Sequence, residues 1–214
     1  DVELPGLRVS LIKPRNSDDL ISEADYLRDE RLPYWADLWA SSETLASYLL
    51  EQRARLATMP GIAAAVGAGR VPQAIELGCG LGVPTIAAVH LGFETLATDY
   101  YDDALLFAAH NSERTLGRRP ATRMVDWYHL PADLGRFELV LAADVLYELR
   151  YSPLLAEVVT KVLAPGGVVL LADQGRIGLS SFLEEASARG LDWHAARRVE
   201  KPSITIYELR WRAS

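Results

Sequence analysis

A single cysteine, Cys79, excludes an intrachain disulfide, and with only four scattered histidines it leaves no cluster at metal-ligand spacing, so no metal is expected. Positive charge is in deficit. The 22 Lys and Arg stand against 29 Asp and Glu, a net charge of −7, which argues against a surface built to neutralise phosphates and against a nucleic-acid partner. No apolar run approaches the ~20 residues that span a bilayer. The opening Asp1-Val2-Glu3 is not a basic segment followed by an apolar one, so neither a membrane span nor a signal peptide is expected. Internal repeats and low-complexity tracts are missing too. Half of the 214 residues are hydrophobic, enough for a sizeable core in one domain covering 1–214. The expectation is an ordered, soluble protein of a reducing compartment, most simply the cytoplasm.

What is present is an alternation of elements. Short apolar runs at 71–77, 93–98, 121–125, 137–143 and 166–172, bounded by Gly, Pro or Asp, predict strands covered on both faces. Helical patterns at 83–91, 101–116 and 150–163 separate them, which demands a parallel, doubly wound α/β sheet with right-handed crossovers. The turn Ala164-Pro165-Gly166-Gly167 is expected to stop one helix and start the fifth strand. A helix near 178–189 then leads to runs at 191–198 and 203–211. Residues 203–209 alternate with period two, predicting an antiparallel strand near a sheet edge and seven strands in all.

Residues 1–70 precede this core as an N-terminal helical arm. They include a charged amphipathic segment at 17–31, a helix at 42–57 beginning after a Ser41-Ser42 cap, and a small-residue stretch at 61–69 that reads as a helix-to-loop connection. Aromatic residues concentrate between the first two, in Tyr34-Trp35-Ala36-Asp37-Leu38-Trp39. These rings either plug the sheet edge or place Trp39 over a ligand.

The chemistry gathers at the carboxyl ends of the strands, where open α/β sheets bind ligands. Glu76-Leu77-Gly78-Cys79-Gly80-Leu81-Gly82 follows the first core strand. Gly78, Gly80 and Gly82 allow a sharp turn and a close approach of ligand to main-chain amides. Asp99 ends the second core strand, with Tyr100 beside it, where a carboxylate accepts from ribose hydroxyls. The spacing Gly-x-Gly-x-Gly departs from the dinucleotide fingerprint, whose third glycine stands one place later. Glu76 would repel a pyrophosphate but attract the ammonium of an amino-acid-bearing ligand. These features favour S-adenosylmethionine over NAD. Cys79 sits in the turn chiefly because it is small. Asp126 after the third strand either accepts from an adenine amino group or caps the next helix, and Trp127 offers an indole to a purine face. Asp144 and Tyr147 follow the fourth strand, where Asp144 either faces the reacting methyl or caps a helix.

Glu76 to Gly82, Asp99, Asp126-Trp127 and above all Ala143-Asp144-Val145-Leu146-Tyr147 resemble the class I, seven-strand methyltransferases, and within them the methyltransferase family 16 group of protein lysine methyltransferases. The resemblance covers about residues 32–172. It implies a Rossmann-like sheet with its last strand antiparallel and cofactor contacts at Trp39, Gly78, Gly80, Asp99, Trp127 and Ala143. Glu76 would lie near the methionine moiety, and Asp144 and Tyr147 on the acceptor side. S-adenosylmethionine, leaving as S-adenosylhomocysteine, is the implied cofactor. The implied partner is the lysine side chain of a protein. A small-molecule amine remains the alternative acceptor, and a cofactor-binding scaffold without catalysis the alternative class. Ser41-Ser42 departs from the Pro/Gly-type pair of many relatives, and the resemblance does not extend to the N-terminal arm or the C-terminal strands.

Overall fold

A computed structural model describes residues 1–20 and 32–213. The chain opens with a hairpin, β1 (Val2–Leu4) and β2 (Leu7–Val9), turned at Gly6. Among the described residues the α-helices that follow are α1 (Ala40–Glu51), α2 (Arg53–Ala57) and α3 (Pro60–Gly67). The core then alternates β3 (Gln73–Leu77), α4 (Val83–His90), β4 (Glu94–Asp99), α5 (Asp102–Leu116), β5 (Ala121–Met124), β6 (Phe137–Ala143), α6 (Tyr151–Val162) and β7 (Leu163–Asp173). It closes with α7 (Leu179–Ala188), β8 (Leu191–Glu200) and β9 (Ser203–Trp211).

Among the described residues one sheet holds seven strands in the order β5-β4-β3-β6-β7-β9-β8. The pairs from β5 through β7 are parallel, and β9 runs antiparallel to both of its neighbours. This is the doubly wound seven-strand sheet of the class I methyltransferases. Its two faces follow from the strand period of two. On β6, Leu139 and Leu141 turn toward α1 and α4, where they join Leu45, Leu49 and Ile86. Val140 and Ala142 turn the other way, toward Leu155 and Val159 of α6 and Phe182 of α7. Burial on both faces makes β3 and β6 rigid, and a rigid strand end is what a site at the carboxyl edge needs.

Several boundaries differ from expectation. The N-terminal arm is not wholly helical: Val2, Leu4 and Val9 of the hairpin are buried against the same layer as α1. The helix expected over 42–57 starts at Ala40 and breaks at Gln52, so Ser41 and Ser42 lie in its first turn and cap nothing. The break brings Arg55 to the Tyr48 hydroxyl at 2.7 Å and to the buried Glu208 at 2.7 Å. Residues 61–69 are mostly helix, with Pro60 pre-set in the first turn. A Cβ on Gly61 would stand 2.8 Å from the carbonyl carbon of Gly166, so the small residue is there for a backbone contact. Strand β7 starts at Leu163, three residues early, and the register shifts across the Pro-Gly-Gly turn before pairing resumes at Leu139↔Val168. β9 lies antiparallel beside the edge strand β8, near the sheet edge as expected, whereas β5, expected to be covered on both faces, is the opposite edge and is largely exposed. The amphipathic segment at 17–31 falls, from 21 onward, outside the described residues.

The third glycine of the loop after β3 has a packing role. Gly82 caps α4 at φ +83°, and a Cβ there would lie 2.9 Å from the Ala108 Cα on α5. Gly82→Ala therefore combines a left-handed backbone with a backbone clash and should cost about 2–4 kcal/mol, read as a lowered midpoint in urea denaturation.

Candidate functional site

The ends of β3 and β4 shape the glycine loop together. The amides of Gly78 and Cys79 both donate to the Thr98 carbonyl, each at 2.9 Å, and the Thr98 hydroxyl donates to the Glu76 carbonyl at 2.6 Å. The next residue, Asp99, accepts from the Gly80 amide at 3.0 Å through one carboxylate oxygen and from the Tyr101 amide at 3.1 Å through the other. Gly80 takes φ +49°, and a Cβ on it would stand 3.2 Å from the Trp35 carbonyl oxygen. The short turn Tyr34–Ala36 thus lies directly on the loop. Asn111 of α5, fully buried, donates to the carbonyls of both Leu81 and Ile12, fastening the N-terminal segment beside it. Cys79 is buried with Ala97, Leu105 and Ala108, and burial pushes its thiol well above the ordinary range.

Glu76 is the unusual carboxyl. It is 1% exposed and accepts from the Thr85 amide at 2.8 Å and the Thr85 hydroxyl at 2.5 Å, both on Oε2. Desolvation pushes its pKa up to about 8 against the lowering effect of those two bonds. Oε1 is left for a ligand, and an ammonium is the group that would restore the charge.

A cavity of about 550 Å³ opens at this end of the sheet, and every site residue singled out from the sequence lines it: Trp39, Glu76, Gly78, Cys79, Gly80, Gly82, Asp99, Tyr100, Asp126, Trp127, Ala143, Asp144 and Tyr147. The volume lies within the range of cofactor sites, ~300–1,000 Å³. Carboxylates at Glu76 and Asp99 flanking a loop with no Cβ at its turns fit an amino-acid-bearing nucleoside. Asp126 also caps the turn Trp127–His129: it accepts from the Tyr128 amide at 3.0 Å and meets the His129 ring at 3.0 Å. Tyr34, Tyr147 and Tyr151 meet edge to face at 5.1 and 5.4 Å, and Trp127 lies edge-on to Tyr151 at 5.9 Å. Burial beside Tyr151 and Asp99 raises the Tyr147 phenol far above its ordinary value, so it stays protonated. Among the described residues no group of three or more His, Cys, Asp or Glu is placed to hold a metal, and no helix is long and apolar enough to cross a membrane.

Asp144 has partners that the sequence did not suggest. It is buried, and its φ of +61° makes it, among the described residues, the one non-glycine in the left-handed region. Arg176 Nε donates to Oδ1 at 2.6 Å, while Gln174 Nε2 at 2.6 Å and the Ser41 hydroxyl at 3.3 Å donate to Oδ2. Asp173 holds the loop that supplies Arg176, accepting from the amides of Gly175 at 2.7 Å and Arg176 at 2.8 Å. The Arg176 guanidinium also lies 5.3 Å from the Trp39 ring centroid, and Trp39 donates through its indole to the Tyr34 carbonyl at 2.8 Å. Arg176 can be found from sequence only as an arginine shortly after a strand end, a weak signal. Arg176→Met removes the charge facing a buried carboxylate and should destabilise the fold by about 3 kcal/mol, checked by chemical denaturation at neutral pH.

With this geometry in view, comparison with known proteins places the chain. Residues 29–189 match a family described as lysine methyltransferase. The electron transfer flavoprotein beta subunit lysine methyltransferase of Xenopus laevis is 26% identical over 178 residues, 83% of this chain and 66% of that protein. The ubiquinone biosynthesis O-methyltransferase of a Caulobacter species is 32% identical over 117 residues, 51% of this chain and 45% of that protein. The chain thus spans about half to two-thirds of the length of these relatives. Magnesium protoporphyrin IX methyltransferase from Synechocystis, solved with S-adenosylmethionine bound, shares the fold at TM-score 0.57 and 15% identity, covering 92% of this chain and 95% of that one. Glycine loop, paired carboxylates and seven-strand sheet agree with the sequence match: the chain belongs to the lysine methyltransferase family of class I, S-adenosylmethionine-dependent methyltransferases.

Proposed function

We propose that the chain transfers a methyl group from S-adenosylmethionine to the lysine side chain of a protein, in the cytoplasm. The observation that carries this reading is the convergence, in one cavity, of the Glu76 and Asp99 carboxyls around the glycine loop with the aromatic mouth of Tyr34, Tyr147 and Tyr151. The Xenopus relative, by its name, modifies a lysine of a protein, which supports the same class of acceptor here.

Bound, the cofactor supplies an electrophilic methyl group on a sulfonium, and the acceptor nitrogen forms its new C–N bond as sulfur keeps the electron pair of the breaking C–S bond. The protein's part is alignment and exclusion of water. Asp99 is assigned the ribose hydroxyls, Glu76 the ammonium, and Asp126 with Trp127 the adenine. The aromatic mouth desolvates the acceptor amine, lowering its pKa from the reference value of ~10.4. Asp144 is held by Arg176, Gln174 and Ser41, so its role is to orient the acceptor and pass its proton to water, not to act as a strong base. Tyr147, kept protonated, walls the channel. A second reading, methylation of a small molecule such as an amine, draws on the Caulobacter relative only for the small-molecule class, since that protein is named an O-methyltransferase of ubiquinone biosynthesis.

The test is labelled methyl transfer into a proteome extract divided into protein and small-molecule fractions. Label mapped to lysine in a discrete protein is the expected outcome, and label confined to small molecules sinks the protein reading. Asp144→Ala should lower turnover at least ~100-fold with cofactor affinity within a few-fold of the parent, and loss of cofactor binding would make the residue structural. Cofactor affinity should also depend on pH. In the free protein Glu76 is mostly protonated below about 8, and binding an ammonium requires its carboxylate, so a proton leaves on binding. Affinity should fall as pH drops from 7.5 to 6, by up to about tenfold per pH unit, and Glu76→Gln should flatten that slope in calorimetric titrations.

A further inference from the structure

Around the mouth of the cavity the three loops that leave β5, β6 and β7 each present an exposed apolar side chain: Tyr128 at 47%, Leu149 at 55% and Ile177 at 71%. Each stands at or next to a residue lining the cavity, namely Tyr128 itself, Glu148 and Arg176. The loops bearing Leu149 and Ile177 are neighbours bound to each other. The Gly178 amide donates to the Leu146 carbonyl at 3.1 Å, and the Ser152 hydroxyl donates to the Gly178 carbonyl at 2.8 Å. A Cβ on Gly178 would stand 3.3 Å from the Glu148 carbonyl oxygen, so the two loops are in contact with no room between them. The apolar side chains are therefore held out on a fixed frame beside the site. Isolated exposed apolar residues are ordinary, but a group bordering a site marks a contact surface.

Charge indicates what fits there. Asp102 and Asp103 are exposed at the start of α5, on the same end of the sheet, and Glu148 lines the mouth. Glu148 and Arg150 pair at 2.7 Å and offset each other, so the acidic character rests on Asp102, Asp103 and the net charge of −7 carried by the chain. An apolar rim with an acidic surround complements a cationic segment that also carries apolar side chains.

We propose that Leu149 and Ile177, with Tyr128, form a docking rim that selects lysines lying beside an apolar residue in a basic protein segment. The inference rests on the lysine methyltransferase reading and narrows its substrate. Burying one leucine-sized side chain on the rim is worth about tenfold or more in kcat/KM.

The experiment uses the full chain, labelled S-adenosylmethionine and short capped basic peptides that hold one lysine flanked by either leucine or serine. The parent protein should methylate the leucine-flanked peptide about tenfold more efficiently. The double variant Leu149→Ser, Ile177→Ser should erase that preference while keeping cofactor affinity, measured by calorimetry, unchanged. Equal efficiency on both peptides in the parent, or a preference that survives in the double variant, overturns the docking rim. A concentration-dependent dimer of the parent, abolished by the double variant in sedimentation, would instead assign the rim to a second copy of the chain. No label in any peptide or in the protein fraction of an extract, with cofactor bound, overturns the lysine reading and this inference with it.

Discussion

The carbonyl oxygen of Thr98 receives two amide protons, from Gly78 and from Cys79, and the geometry of the site depends on that forked bond. It joins the end of β4 to the first turn after β3, so the two strands finish as one unit. Asp99, the next residue, then reaches across to the Gly80 amide, and the loop is moulded on the neighbouring strand end. Because β3 is buried on both faces, the strand cannot shift to relax the loop, and the amides remain where the sheet puts them. Trp35 and Asn111 add a second enclosure from outside the core, at Gly80 and Leu81.

The cavity concentrates carboxyls in an already acidic chain, and the fold deals with them by several means. Glu76 is neutralised by burial. Asp99 divides its two oxygens between backbone amides, and Asp126 is taken up by the turn that it caps. Asp144 receives a full countercharge from Arg176, as Glu148 does from Arg150 and Asp37 from Lys13. These solutions keep repulsion low, and they leave acids of distinct character around one space. The arrangement suits a ligand with a cationic amino acid at one end and a neutral purine and ribose at the other.

Most of this sheet was legible because buried parallel strands are continuous apolar runs that announce themselves between glycine and proline. The glycine loop and Asp99 were legible for a related reason: strand-turn-helix-strand spacing brings them together within a few dozen residues. What lay hidden depends on distance along the chain or on ambiguity of residue type. Arg176 and Gln174 meet Asp144 across some thirty positions, and a loop arginine carries no periodic mark. Ser41 looks like a helix cap in sequence, yet its hydroxyl is spent on Asp144, so a tertiary bond displaced the local one. The hairpin at residues 2–9 has strands of three residues, too short for alternation to register. The helix at Pro60–Gly67 was masked by its glycines, one of which serves a contact with Gly166 made a hundred residues later.

The position of β9 in the sheet bears on how the protein is made. β8 precedes β9 in the chain, yet β9 lies between it and β7. As the chain leaves the ribosome, β8 emerges with no strand to join, and β7 waits with a bare edge until residues 203–211 arrive and pair with both. On this side of the sheet, the pairing of β7 and the pairing of β8 both depend on β9. Until β9 arrives the nascent protein carries an open edge beside a nearly finished ligand cavity, which is the stage at which a chaperone has most to protect.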